Sequence, residues 1–267
     1  MRKWICVLLL FPLGSKGQGK SRADVVPIGM GAYQKMNSTA LANAELPALL
    51  GFRKVQQLGI ILENKFGLKE LSAMRVAYGQ PLANGYILIN GQIQGGQIHK
   101  HYAGNLSFGR LINSNTTIGI GMGIEQFQFQ GDKPEFEVAA TAGIAHCINE
   151  KTTIGIHYTH GQQLLQENRS IAKKVEGLTM GIGYRLSDLV FIQLELQKKQ
   201  QTQISSTLIW TPFHKIGFFG GTNSSGHFYL GGQTKNKRTT TAVAIAQHPQ
   251  LGYSILLHFN LFFDVEK

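Results

Sequence analysis

From about residue 55 to the end of the chain, apolar residues alternate with small or polar ones at a period of two. Leu178, Met180, Ile182 and Tyr184 fall on one side of such a run, with Thr179, Gly181 and Gly183 on the other. Val190, Ile192, Leu194 and Leu196 then alternate with Phe191, Gln193, Glu195 and Gln197. Successive side chains of a strand point to opposite faces, so this period predicts strands that show one face to an apolar surround. Such segments fall near residues 55–66, 70–79, 84–94, 99–111, 116–129, 135–148, 152–160, 177–186, 189–199, 202–211, 215–222, 226–233, 239–247 and 251–263. That makes about fourteen strands, many of them near the roughly 9–11 residues a tilted membrane-spanning strand needs.

The connections carry a second pattern. Ile112-Asn113-Ser114-Asn115-Thr116-Thr117-Ile118-Gly119-Ile120 returns 36 residues later as Ile148-Asn149-Glu150-Lys151-Thr152-Thr153-Ile154-Gly155-Ile156. The repeating unit is therefore a hairpin, and the sheet an antiparallel meander. Tight connections at 112–115, 149–151 and 187–188 alternate with longer ones at 129–135 and from Gly161 to Val175. Short turns at one end and long loops at the other are the habit of outer-membrane barrels, the short ones periplasmic. The predicted fold is all-β: a transmembrane antiparallel up-and-down barrel spanning 55–267. Its last strand shows an outward row from Tyr253 through Ile255, Leu257, Phe259 and Leu261 to Phe263. Trp210, Tyr184 and Phe108 sit where an interfacial aromatic belt belongs.

Residues 1–17 read as a secretory signal peptide, with basic Arg2 and Lys3, an apolar run from Trp4 to Leu13, and small Ser15 and Gly17. Export to the bacterial outer membrane follows as the expected location. Cleavage would remove Cys6 and leave Cys147 alone, with neither a disulfide nor a thiolate metal cluster possible. Residues 18–54 do not alternate. Asn37-Ser38 is placed to cap a short helix through Ala44 that Pro47 stops, and the segment suits either a plug in the lumen or a periplasmic tail. The inward face of the strands bears on this choice, because Gly119, Gly121, Gly123, Gly143, Gly155, Gly181 and Gly183 lie there together. Glycine inside a strand marks close approach by something else: either a plug bearing Pro47, or the wall of a tightly curved barrel closing on itself.

Charge and candidate chemistry change the picture little. The formal net charge is +11, but the cations are scattered between strands rather than interleaved with aromatics, and an exported chain meets little nucleic acid. Outer-membrane lipid and lipopolysaccharide are the expected partners of that charge. Gly29-Met30-Gly31 lacks the third glycine of a dinucleotide loop. His99 with His101, and His157 with His160, have no accompanying carboxylate cluster for a metal. His157, His160 and Ser224-Ser225 are the residues a rim hydrolase would draw on, without a visible orienting group. The sequence thus predicts no catalytic residue, no cofactor and no metal, and a protein that is not an enzyme.

Three stretches bring a family into view. Glu63-Asn64-Lys65-Phe66-Gly67-Leu68-Lys69-Glu70-Leu71-Ser72, His248-Pro249-Gln250-Leu251-Gly252-Tyr253-Ser254, and Gly29-Met30-Gly31-Ala32 followed by Leu46-Pro47-Ala48-Leu49 resemble segments of a Bacteroidetes outer-membrane family. That family is akin to the PorV and PorQ components of type IX secretion, which share the FadL-like barrel. In its Asn-Pro-Ala-x-Leu element, Leu46 stands where the asparagine is usual. The resemblance implies about fourteen strands, an amino-terminal plug and an accessory role in protein secretion or surface attachment, with secreted proteins or other secretion components as partners. The alternatives are a gated channel for small apolar or amphipathic molecules and, third, an outer-membrane lipid hydrolase. The basic, polar stretch between Gly161 and Val175 tilts the choice toward the accessory.

Overall fold

A computed structural model describes residues 32–33, 39, 41–164, 174–198 and 201–263. The expected signal peptide, Gly29-Met30-Gly31 and the Asn37-Ser38 cap lie outside them. Fourteen strands form one closed barrel: β1 (Gln56–Asn64), β2 (Ala73–Leu82), β3 (Gly85–Gly95), β4 (His99–Asn113), β5 (Thr116–Phe129), β6 (Glu135–Cys147), β7 (Thr152–Leu164), β8 (Lys174–Arg185), β9 (Val190–Lys198), β10 (Thr202–Phe213), β11 (Ile216–Asn223), β12 (Phe228–Lys235), β13 (Thr239–His248) and β14 (Gly252–Phe263). Each pairs with its neighbours in the chain, and β1 closes the ring against β14 from Gln56 opposite Phe263 to Asn64 opposite Ile255. Closure removes every free edge, the condition a sheet must meet in hydrocarbon.

Alternation sorts the two faces. Ile118, Ile120, Met122 and Ile124 of β5 are exposed to the surround, while Thr117, Gly119 and Gly121 between them are buried toward the axis. The β14 row runs outward as predicted, and at about 3.3 Å per residue along a strand tilted about 40° it spans an apolar band roughly 25 Å tall. Trp210, Tyr184 and Phe108 face outward, the last half-buried where its ring covers Gly85 of the adjacent strand.

The two repeated turns are alike because their asparagines act alike. The Asn113 carboxamide oxygen accepts from the Asn115 and Thr116 amides, and that of Asn149 accepts from the Lys151 amide. A short polar side chain that bonds its own backbone two residues on fixes the turn.

Two expectations require correction. Residues 161–164 and 174–175, expected in the long loop, are strand, since Gly161 opposes Val175 and Gln162 opposes Lys174, and 165–173 lie outside the described residues. Alternation fades there because β4 to β8 rise beyond the apolar band, where His160, Gln162 and Glu176 face outward into water. Nor does Pro47 stop a helix. A 3-10 turn at Leu41–Asn43 is followed by α1 (Pro47–Leu50), with proline in its first turn. There the missing N–H is no loss and the fixed φ suits the helix.

Candidate functional site

The lumen is the site, and the amino-terminal segment fills the half nearest the short turns. Tyr33, Ala42, Pro47, Ala48, Leu49 and Leu50 are all at most 2 % exposed. The segment is short and has no side-chain cap, so burial against the wall must hold it in place. Two wall regions receive it. On β4 and β5, a Cβ on Gly109 would meet Pro47 O and the Gly51 N at 2.5 Å, and one on Gly119 would overlap the Pro47–Ala48 peptide. On β7 to β9, the Tyr33 ring occupies the space over Gly155 and Gly181, and its Cβ and carbonyl oxygen, with the Phe191 ring, that over Gly183. The Tyr33 amide donates to the Gln193 carboxamide oxygen at 3.4 Å. The Asn105 side chain reaches back to Ala44 O at 3.0 Å, and the Tyr86 hydroxyl donates to Val55 O at 3.0 Å where the segment enters β1.

Gly119, Gly155, Gly181 and Gly183 therefore lie against the inserted segment, and Pro47 is one of the groups they receive. Gly121, Gly123 and Gly143 do not. Gly121 accommodates the Ser107 hydroxyl, Gly143 lies under the His157 ring, and nothing comes within 3.6 Å of a Cβ on Gly123. Gly51, Gly59 and Gly109 take part without having been singled out; Gly59 receives the Leu41 side chain.

The wall at this level is mixed in chemistry. Ile61, Leu88, Phe191, Ile209, Phe219 and Leu256 give it an apolar surface. Among them stand polar groups without a hydrogen-bond partner among the described residues: both ring nitrogens of His157 and of His258, the Asn260 carboxamide, the Gln193 Nε2 and the Tyr33 hydroxyl. The large majority of buried side-chain polar atoms in proteins are paired, so this concentration is local and unusual. Toward the long loops the lumen wall turns polar, with Gln92 and Gln94 bonded to one another, Asn105, Thr141 bonded to Thr159, and Glu125 beside Glu137 on the neighbouring strand.

The remaining candidates separate. His101 pairs with Glu125 at 3.2 Å and stacks on Phe127, while His99 packs on Phe129. His157 faces the lumen and His160 the outside, so they share no site. Ser224 caps the Ile204 amide from a loop at the far rim. Among the described residues no three His, Cys, Asp or Glu side chains are grouped to hold a metal. At that rim His227, His248, Phe66 and Glu63 line a small recess.

No protein-family model and no curated protein matches the sequence, but solved structures match the fold. The toluene transporter TodX of Pseudomonas putida superimposes with a TM-score of 0.59 at 9 % identity, over 88 % of this chain and 95 % of TodX. The CymD monoaromatic hydrocarbon channel gives 0.62 at 9 %, over 88 % and 97 %. A Pseudomonas aeruginosa FadL homologue gives 0.57 at 9 %, over 89 % and 96 %. The barrel has the fold of outer-membrane channels. At these identities the likeness carries architecture alone.

Proposed function

We propose that the protein is a gated outer-membrane channel for small amphipathic molecules, with residues 41–52 as the gate. The carrying observation is the seam between that segment and the wall. It is held by side-chain packing and by hydrogen bonds such as those of Asn105 to Ala44 O and of the Tyr33 amide to the Gln193 Oε1, and it faces a wall in which the ring nitrogens of His157 and His258, the Gln193 Nε2 and the Asn260 carboxamide have no hydrogen-bond partner among the described residues. An element so held can leave its seat without breaking a strand pair. The structural neighbours, channels by their names, support this reading over a secretion accessory, which draws only on the sequence resemblance. The polar outer wall favours cargo with a polar end over a pure hydrocarbon.

A disulfide tether tests it. Leu41 packs directly over Gly59, so Leu41→Cys with Gly59→Cys in a Cys147→Ser background places two thiols within reach. In proteoliposomes the oxidised protein should exclude a small amphipathic dye and the reduced one admit it. Equal uptake in both states would remove the gate; absence of uptake in both, with Gly119→Ala also silent, would remove the channel and favour an accessory.

A further inference from the structure

The short turns repeat a pairing that gating does not use: an exposed aliphatic or aromatic side chain next to a cation. Arg110 precedes Leu111 and Ile112 at the β4–β5 turn, and Ile148 stands three residues from Lys151 at β6–β7. Arg185 is followed by Leu186 and Leu189 at β8–β9, and Lys215 lies between Phe213 and Ile216 at β10–β11. Ile112, Ile148 and Phe213 are 58 %, 55 % and 64 % exposed. Lys54 precedes the exposed Val55 before β1, and Lys237 and Arg238 add charge at β12–β13 without an apolar neighbour. Against these, the described residues of this end offer Glu150 and Asp188. Among the described residues the opposite end is close to balance, with Lys65, Lys69, Lys100, Lys133, Lys174 and Lys198 set beside Glu63, Glu70, Asp132, Glu135 and Glu176. The excess positive charge thus collects at the end whose turns are short, the periplasmic end in barrels of this kind.

We propose that this rim is a binding ring for anionic phospholipid headgroups of the inner leaflet. Apolar side chains on a turn are poorly placed in water but well placed at the acyl boundary, where adjacent Lys and Arg lay their stems along the hydrocarbon and carry their charge to the phosphates. The pairs recur on four successive short turns, from β4–β5 to β10–β11, and again at Lys54 and Val55 before β1, and a lipid leaflet is the one occupant that meets all of them at once. A soluble acidic protein would meet a few and leave the apolar partners wet. The lipid contact expected from the net charge accordingly belongs to phospholipid at this end, not to lipopolysaccharide at the other. The proposal does not depend on whether the lumen conducts.

Trp210 supplies the probe, because it faces outward on β10 at the same level, 47 % exposed and three residues from Phe213. The full chain is reconstituted in phosphatidylcholine vesicles holding a small fraction of brominated phosphatidylglycerol or, separately, brominated phosphatidylcholine; Trp210→Phe subtracts any signal from Trp4. The anionic lipid should quench Trp210 at least threefold more steeply than the zwitterionic one, and the preference should shrink in molar salt. Arg110→Gln, Lys151→Gln, Lys215→Gln and Lys237→Gln combined should bring the two to parity while the β spectrum stays unchanged. Should the combined variant fail to fold, Lys215→Gln alone, nearest the reporter, should reduce the preference. Equal quenching of the unmodified protein by both lipids, or a preference that survives these changes, would overturn the ring.

Discussion

Replacing Gly119 by alanine adds one methyl group at the point where the wall meets the gate. The new Cβ falls inside the contact radii of the Pro47 carbonyl and the Ala48 nitrogen. These are backbone atoms of α1, so no rotamer change relieves the overlap, and α1 must lift away. Overpacking of this kind costs about 1–3 kcal/mol. The cost falls on the seated gate and not on the barrel, because Gly119 keeps its pairing with Gly143 and alanine is at least as good a strand residue. A penalty confined to the closed state raises the open-to-closed ratio by about 5- to 150-fold. Planar-bilayer recording reads this ratio as the fraction of time spent conducting. Gly123→Ala is the internal control on the same face of the same strand: its Cβ meets nothing closer than 3.6 Å, and its open fraction should equal that of the parent. An unaltered open fraction in Gly119→Ala, or equal opening in both variants, would refute the seat described here.

Tyr86→Phe removes the hydroxyl that donates to Val55 O at 3.0 Å; a loss of about 0.5–1.5 kcal/mol should raise the open fraction a few-fold, with the barrel's thermal unfolding little changed. His258→Leu fills its place with an apolar group and removes two unpartnered nitrogens, so the closed state should gain and dye uptake slow; faster uptake would count against the seam. Cys147, 1 % exposed and facing the Thr153 hydroxyl, should resist a maleimide in the folded barrel and react once urea unfolds it. Burial and the adjacent His248 hold His227, in the loop between β11 and β12, below the usual histidine range. Its folded-state affinity for protons is thus weaker than that of the unfolded chain, so its contribution to stability is full at neutral pH and declines as pH falls below about 6.5. An NMR titration of its ring should give a midpoint below that value, and a midpoint at or above it would contradict the packing of this rim.

The strands were legible because most of them obey one rule along their whole length: outward residues meet an apolar medium and inward ones do not. Where the rule lapses the reading lapsed with it. Residues 161–164 and 174–176 form strand beyond the apolar band, where polar residues suit both faces and the period vanishes. The glycines failed differently. A strand glycine tells that something comes close but not what. Gly143 yields to the His157 ring from the next strand, whereas Gly155 yields to Tyr33, more than a hundred positions earlier in the chain. The distinction needs the register that sets Gly155 opposite Gly181, and register is a property of pairs of strands. Pro47 was misjudged because proline ends a helix from within but opens one from its first turn, and only the position of α1 decides which.

The same mixture of chemistries explains why the gate sits where it does. An insert of this size packed against a wholly apolar wall would exclude water and stay, since each buried leucine contributes about 1.5–3 kcal/mol of transfer energy. Leu41, Leu49 and Leu50 provide that hold on one side. Across the seam, the ring nitrogens of His157 and His258, the Gln193 Nε2 and the Asn260 carboxamide, without partners among the described residues, oppose it, because a buried polar group left unmet costs about 1–3 kcal/mol. Water or the polar end of a passing molecule can satisfy these groups. On the proposed gating, these two contributions, comparable in size and opposite in sign, would leave closed and open states close enough in free energy for a cargo molecule to shift the balance, which a fully dry or fully wet seam would not allow.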